Sequence, residues 1–291
     1  MNQIDKAEEN DDFSDWKWEI TSGQKWFELG LKEVYAYRGL VLRFVRRDLL
    51  ASYQQTIIGP IWMFLQPLLA TLIYVVVFGN FAKIPTDGVP KILFYLSGTI
   101  LWNFFFDSLS GTMYTFITNA HIFNKVYFPR LVMPVSNVAT QTIRLSIQSL
   151  LFIIIYFFYV IVYDKFSLNI SLLIIPFLVV LTAAFALGSG LIIAVFTAKY
   201  RDVDTFLQYV LRLLMFASPV VFPSSIVPLK FKFLFWLNPL TPIIETFRAV
   251  FFNQGAIQYN YLLIATVNVF ILLVVGLVLF KRREIAVMDI I

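Results

Sequence analysis

RFVRRDLLASYQQTIIGPIWMFLQP, residues 43–67, begins as a cationic helix face, passes through a polar elbow and ends inside an apolar run. Arg43, Arg46 and Arg47 stand at i, i+3 and i+4, so a helix presents all three guanidinium groups together. Residues 52–56 carry the chain to Gly59-Pro60, where a helix can restart because proline suits the first helical position. No charged residue occurs between Leu49 and Ala82, a longer stretch than the ~20 apolar residues one bilayer crossing needs. The pattern is a basic helix lying along a membrane surface that turns into a span.

Composition agrees. Of the 291 residues 59% are hydrophobic and 14% charged, and the mean hydropathy is +0.77. Both fractions lie far from those of soluble domains, so an all-α integral membrane protein is expected. The absence of cysteine excludes disulfides, thiolate nucleophiles and Cys-based metal sites. The first forty or so residues are polar and lack an apolar h-region, so a cleavable signal peptide is not expected.

Three domains follow: a polar, acidic tail over 1–30, a cytoplasmic interfacial amphipathic helix over 31–56, and a six-span transmembrane domain over 57–291. In the tail, Trp16, Trp18, Trp26 and Phe27 suit a headgroup zone or a docking surface. In the interfacial helix Leu31, Val34, Tyr35, Leu42, Val45 and Leu49 fall at helical spacing. Six spans are expected, over residues 57–81, 92–116, 135–163, 168–196, 206–222 and 261–280. Residues 121–134, HIFNKVYFPRLVMP, read as a small interfacial helix broken by Pro129 and Pro134. Asp204 is placed to cap the helix after residues 199–204. Residues 224–259 are interrupted by Asn238-Pro239 and Thr241-Pro242, and fit two short re-entrant helices covered by protein. With the N-terminus inside, inner segments hold 15 of the 23 Lys and Arg and outer segments 6, which places both termini in the cytoplasm.

Polar residues line faces of three spans. Asn137, Gln141, Arg144 and Gln148 form one stripe, Asn103 and Asp107 a second with Thr99 and Gly111, and Gln208 and Arg212 stand one turn apart. A charge at the bilayer centre costs roughly 2.5–3.5 kcal/mol on insertion scales, so these groups face protein or water. They read either as a hydrophilic passage or as helix–helix contacts. Trp62, Tyr74, Trp102, Phe104 and Phe106 lie on or beside the stripes, where rings next to polar groups suit a sugar.

No glycine is followed by lysine, so the chain carries no P-loop and no ATP-binding signature of that kind. His121, the single histidine, has no second His or Cys with which to build a zinc site. Neither catalytic residue, metal nor cofactor is expected, and uphill transport would draw energy from another subunit or an ion gradient.

Three stretches carry a family resemblance: RRDLLASYQQTIIGPIWMFLQP before the first span, YRDVDTF at 200–206, and WLNPLTPIIETFR at 236–248. Together they resemble the polysaccharide-exporting permeases of type-2 ABC transporters, over roughly residue 31 to the C-terminus. That resemblance implies a homodimer with a central channel in the bacterial inner membrane, joined to two cytoplasmic ATPase subunits, with no nucleic acid involved. The implied cargo is a glycan on an undecaprenyl diphosphate carrier: O-antigen, capsular polysaccharide or teichoic acid. It also implies that Lys125, Tyr127 and Arg130 contact the ATPase. Asn238, Pro239, Pro242, Glu245 and Arg248 would belong to an external gate. Arg43, Arg46 and Arg47 then stand where a lipid diphosphate arrives, although the positive-inside rule alone also accounts for them. A type-2 permease for a small hydrophobic drug or lipid, and a membrane glycan-modifying enzyme relying on His121, are the alternatives. Drug-stimulated ATPase activity would favour the first; a silent His121→Ala variant would dispose of the second.

Overall fold

The computed structural model describes residues 30–54, 58–123, 125–163, 170–253, 255 and 257–288. The acidic tail with its tryptophans, part of the elbow at 55–57, and residues 164–169, where the fourth span was expected to start, lie outside them.

The described residues are helical, without strands. Two helices, α1 (Leu31–Ala36) and α2 (Arg38–Tyr53), meet at Tyr37, where the expectation was one continuous helix. The break rotates the apolar face. Val34, Tyr37, Leu40, Val41 and Phe44 pack inward, whereas Tyr35 and Leu42 point out at 71% and 67% exposure.

Gly59, at φ +55°, and Pro60 open a short 3-10 turn leading into α3 (Trp62–Tyr74), which runs on through a π-helical end at Val75–Phe81. α4 (Lys91–Met113) is buried on nearly every side, against α3, α6 and α7. This explains why its apolar residues show no one-sided pattern: a helix with protein all round has no lipid or water face to encode. α5 (Thr115–Phe123) continues α4 after Tyr114, so His121 closes this helical path instead of opening a separate one, and it is exposed. A turn at 125–131 leads to α6 (Val132–Tyr163), whose 32 residues reach ~48 Å at 1.5 Å per residue. Pro134 is accommodated in its first turn, where its missing N–H costs no hydrogen bond.

α7 (Ile175–Thr197) packs most extensively on α11 (Tyr259–Met288), because Gly188 and Gly276 let the backbones touch. A Cβ built on Gly188 would lie 2.7 Å from the backbone of Leu273. On its other side α7 is tied to α4 by Thr197, whose hydroxyl donates to the Met113 carbonyl at 3.1 Å. Between α7 and α11 come α8 (Arg201–Phe216), α9 (Leu229–Leu237) and α10 (Leu240–Phe252).

Among the described residues five helices are long and apolar enough to cross a membrane: Gly59–Phe81, Lys91–Met113, Val132–Tyr163, Ile170–Thr197 and Tyr259–Glu284. The expected fifth span coincides with α8, which has 16 residues and stops before a turn through Ser218 and Pro219. The two short helices expected before the last span are present as α9 and α10.

Candidate functional site

Polar groups gather in three places: an end carrying α1, α2 and the 125–131 turn, the middle of the bundle, and an opposite end around α10.

At the first end α2 lies along α6. Arg43, Arg46 and Arg47 are all exposed. Arg47 pairs with Asp48 at 2.8 Å and lies over the Phe44 ring, 4.7 Å from its centroid. Ser52, one turn further on, accepts a hydrogen bond from Arg144 of α6. Helix α2 is thereby attached to the polar stripe of α6 through the side opposite its arginines, at 100° per residue. Nearby, Phe44 packs on Phe128 with ring centroids 5.9 Å apart, and Lys281 of α11 bridges Glu33 and Glu284 at 3.2 and 3.3 Å. From this joint projects the 125–131 turn. Lys125 is exposed, Tyr127 is 92% exposed and Arg130 is half-buried.

In the middle, the stripes divide between packing and open surface. Asn137 donates to the Ser108 carbonyl at 3.0 Å and fills the space left by Gly111, so it joins α4 to α6. Asp107 is half-buried on α4 with Arg144 as its charged neighbour, and no ion pair within 4.0 Å joins them among the described residues. Asn103, Gln141 and Gln148 are half-buried. On α8, Gln208 and Arg212 are exposed, with Arg212 6.0 Å from the Tyr209 ring centre. The expected aromatic set is scattered. Trp62 is 49% exposed, Phe106 half-buried, and Tyr74 donates to the Met215 sulfur at 3.6 Å. Trp102 and Phe104 are in the core at 5% and 2% exposure, their ring faces taken up by neighbours.

Asp204 does not cap α8. The helix begins three residues earlier, after Tyr200, and the carboxylate accepts from the hydroxyl of Tyr114 and, at 3.2 Å, from Gln208. Gln208 also donates to the Tyr114 oxygen at 2.8 Å. This Tyr114–Asp204–Gln208 cluster ties α8 to the α4–α5 joint. The i, i+4 spacing of Asp204 and Gln208 was legible in sequence; their common partner 90 positions away was not.

At the opposite end, Arg248 of α10 is 5% exposed. Its guanidinium donates to the Ser97 hydroxyl at 3.3 Å, the Phe94 carbonyl at 3.1 Å and the Val220 carbonyl at 3.2 Å. It also covers the Phe94 ring at 3.6 Å and lies 3.7 Å from the Glu245 carboxylate. Gly98 makes the room: a Cβ there would lie 2.9 Å from Arg248 Nη2. Burial lowers the Arg248 pKa to about 10, against the pull of Glu245 and Asp87, so it stays charged at neutral pH. Burial pushes the Glu245 carboxyl above the usual range, opposed by Arg248. Asn238 donates to Ser218 Oγ at 2.9 Å and accepts from the Leu240 N–H at 3.1 Å, while Pro239 and Pro242 shape the start of α10. Of the residues expected at an external gate, Arg248 is thus the centre of a buried hub joining α4, α10 and the segment after α8.

Among the described residues no group of three or more His, Cys, Asp or Glu is placed to hold a metal ion.

The ABC-2 type transporter family matches residues 40–252. The chain is 28% identical over 245 residues to the O-antigen export system permease protein RfbA of Klebsiella pneumoniae, covering 84% of this chain and 92% of that protein. It is 26% identical to the protein of the same name from Myxococcus xanthus, over 87% and 96% of the two chains. With the polysialic acid transport protein KpsM of Escherichia coli it shares 24% identity, over 82% and 91%. A bundle of apolar helices, a cationic helix lying against it and a family match over most of its length lead to one assignment: the chain is a membrane permease of the ABC-2 type transporter family.

Proposed function

We propose that the chain is the permease subunit of an exporter that moves an undecaprenyl-diphosphate-linked polysaccharide, O-antigen first among the candidates, across the bacterial inner membrane. A separate cytoplasmic ATPase, in two copies, supplies the energy, and two copies of this chain form the channel. Both termini are cytoplasmic. The polypeptide crosses six times, with α8 and the turn after it making the fifth crossing and α9 and α10 re-entering from outside. At ~24 Å, α8 falls short of a ~30 Å hydrocarbon core by about the length that the turn adds.

The observation that carries this reading is the exposed arginine face of α2, a helix whose other side is fastened through Ser52 and Arg144 to the polar stripe of α6. Guanidinium groups suit a diphosphate, which they bind bidentately, and they cost little at the membrane surface. Support for a glycan cargo comes from the relatives, named for O-antigen export and for polysialic acid transport. The polar groups left exposed on α8, Gln208 and Arg212, with half-buried Asn103, Asp107, Gln141 and Gln148, line the passage. Lys125, Tyr127 and Arg130, on the turn that projects beside α1, meet the ATPase.

Replacing Arg46 and Arg47 together by Gln tests the reading. Surface glycan should be lost while the ATPase still co-purifies with the chain. Undiminished surface glycan refutes the role given to these arginines.

A further inference from the structure

At the α10 end, the 83–90 loop, the turn at 223–225 and α10 enclose a cavity of about 550 Å³, within the ~300–1,000 Å³ span of small-molecule sites. We propose that this cavity is a binding site for a neutral saccharide unit, separate from the passage between protomers.

Its wall carries two cations, Lys232 and Arg248, and two carboxylates, Asp87 and Glu245. Their formal charges cancel, so a ligand of either sign meets a like charge, whereas an uncharged polar ligand finds acceptors and donors side by side. Trp236 and Tyr261 stack at 4.7 Å between ring centroids and give the same wall an aromatic surface. A sugar presents what this wall matches: hydroxyls that each donate and accept, and a C–H face that packs on aromatic carbon.

Two wall residues also carry buried donors without a hydrogen-bond partner among the described residues, Nη1 of Arg248 and Nε1 of Trp236. The residues are only 5% and 6% exposed. Nη1 has the Glu245 carboxylate 3.7 Å away, whereas the Trp236 N–H is left unpaired, which is costly. The acceptors are already held in place. Glu245 accepts from the Ser224 N–H at 3.2 Å, and Asp87 from the Ser225 hydroxyl at 2.9 Å, so little ordering remains to be done on binding.

The inference rests on the glycan-export reading only for where such a sugar comes from. Binding is therefore measured directly, on the full chain in lipid nanodiscs without nucleotide or ATPase, by saturation-transfer NMR. The probes are maltose and diacetylchitobiose, with glucuronate and alanine as charged and zwitterionic comparators. A neutral disaccharide should bind saturably. Asp87→Asn, whose position is exposed, and Trp236→Phe, which keeps a smaller aromatic face and loses the indole N–H, should each weaken it about tenfold. No saturable binding of either disaccharide, preference for a comparator, or unchanged binding in both variants overturns the site. Surface glycan is followed in cells with and without the chain. Dependence of surface glycan on the chain, together with no disaccharide binding, ends this inference and leaves export standing. Disaccharide binding by a chain whose deletion leaves surface glycan intact ends the export reading and leaves the site.

Discussion

Arg248→Ala removes the guanidinium on which three segments converge. The Phe94 and Val220 carbonyls and the Ser97 hydroxyl each lose a charged donor. Glu245 loses the cation 3.7 Å away. Hydrogen bonds from charged groups contribute about 1.5–3 kcal/mol each, but the three share one side chain and do not add. Breaking a buried charge pair by deleting one partner costs about 3–5 kcal/mol, and that figure sets the scale for the whole substitution. The chain should therefore melt on the order of 10 °C lower, followed by intrinsic fluorescence of the purified protein in nanodiscs at a fixed scan rate. Arg248→Lys keeps the charge and loses the fork, so it should fall between the two. Glu245→Gln in the Arg248→Ala background should recover part of the loss by removing the stranded carboxylate. An Arg248→Ala protein that melts within a degree of the unmodified chain refutes the hub. A lysine variant as stable as arginine would show that charge alone matters there.

Gly276→Ala should destabilise the chain by about 1–3 kcal/mol, since its Cβ would enter the Gly188 carbonyl and force α7 and α11 apart; a melting point unchanged from the parent refutes the close packing. Tyr114→Phe and Asp204→Asn should be coupled by about 0.5–3 kcal/mol in a double-mutant cycle, and strict additivity would mean that α8 is not held to the α4–α5 joint through them. Glu33→Gln should cost less than about 1 kcal/mol, with a loss that shrinks at high salt, because Glu33 is half exposed and Lys281 keeps Glu284; a large, salt-independent loss would contradict a surface bridge.

How much of this was legible depended on what each residue's signal recorded. Hydrophobicity marked α3, α6, α7 and α11, because lipid demands it whatever the neighbours, although α7 starts at Ile175 where 168 was expected and α11 runs to Met288 where 280 was expected. α4 was legible as a span but not as the centre of the bundle, since being surrounded leaves no periodic trace. The break at Tyr37 was missed for a related reason: α1 and α2 each continue an apolar spacing, and only packing on α6 and Phe128 decides which face turns inward. Polar spacing gave the stripes but not their partners. Asn137 and Gln141 look alike in sequence and are both half-buried, yet it is Asn137 that fills the notch at Gly111. Arg248 was placed at an outer gate only through the family resemblance; nothing local signals that Ser97 and Gly98, about 150 positions earlier, have left room for it.

The two ends of the molecule are built to different strengths, and this bears on which of them moves. At the α2 end the polar fastenings between helices are partly exposed: Lys281 to Glu33, and Arg144 to Ser52. Exposed pairs contribute up to ~1 kcal/mol each and compete with water, so a push on the 125–131 turn can shift α1 and α2 over α6 at small cost. At the α10 end the fastenings converge on one buried guanidinium, and parting α10 from α4 would take Arg248 from the Phe94 carbonyl and the Ser97 hydroxyl at once. α10 should therefore travel with α4 as one body, and an outer opening would come from displacement of that body against α9 or a second copy of the chain. A covalent cross-link between α10 and α4 would then leave glycan export intact, whereas one joining α2 to α6 would arrest it. Arrest by the first and not the second would reverse the assignment of the moving end.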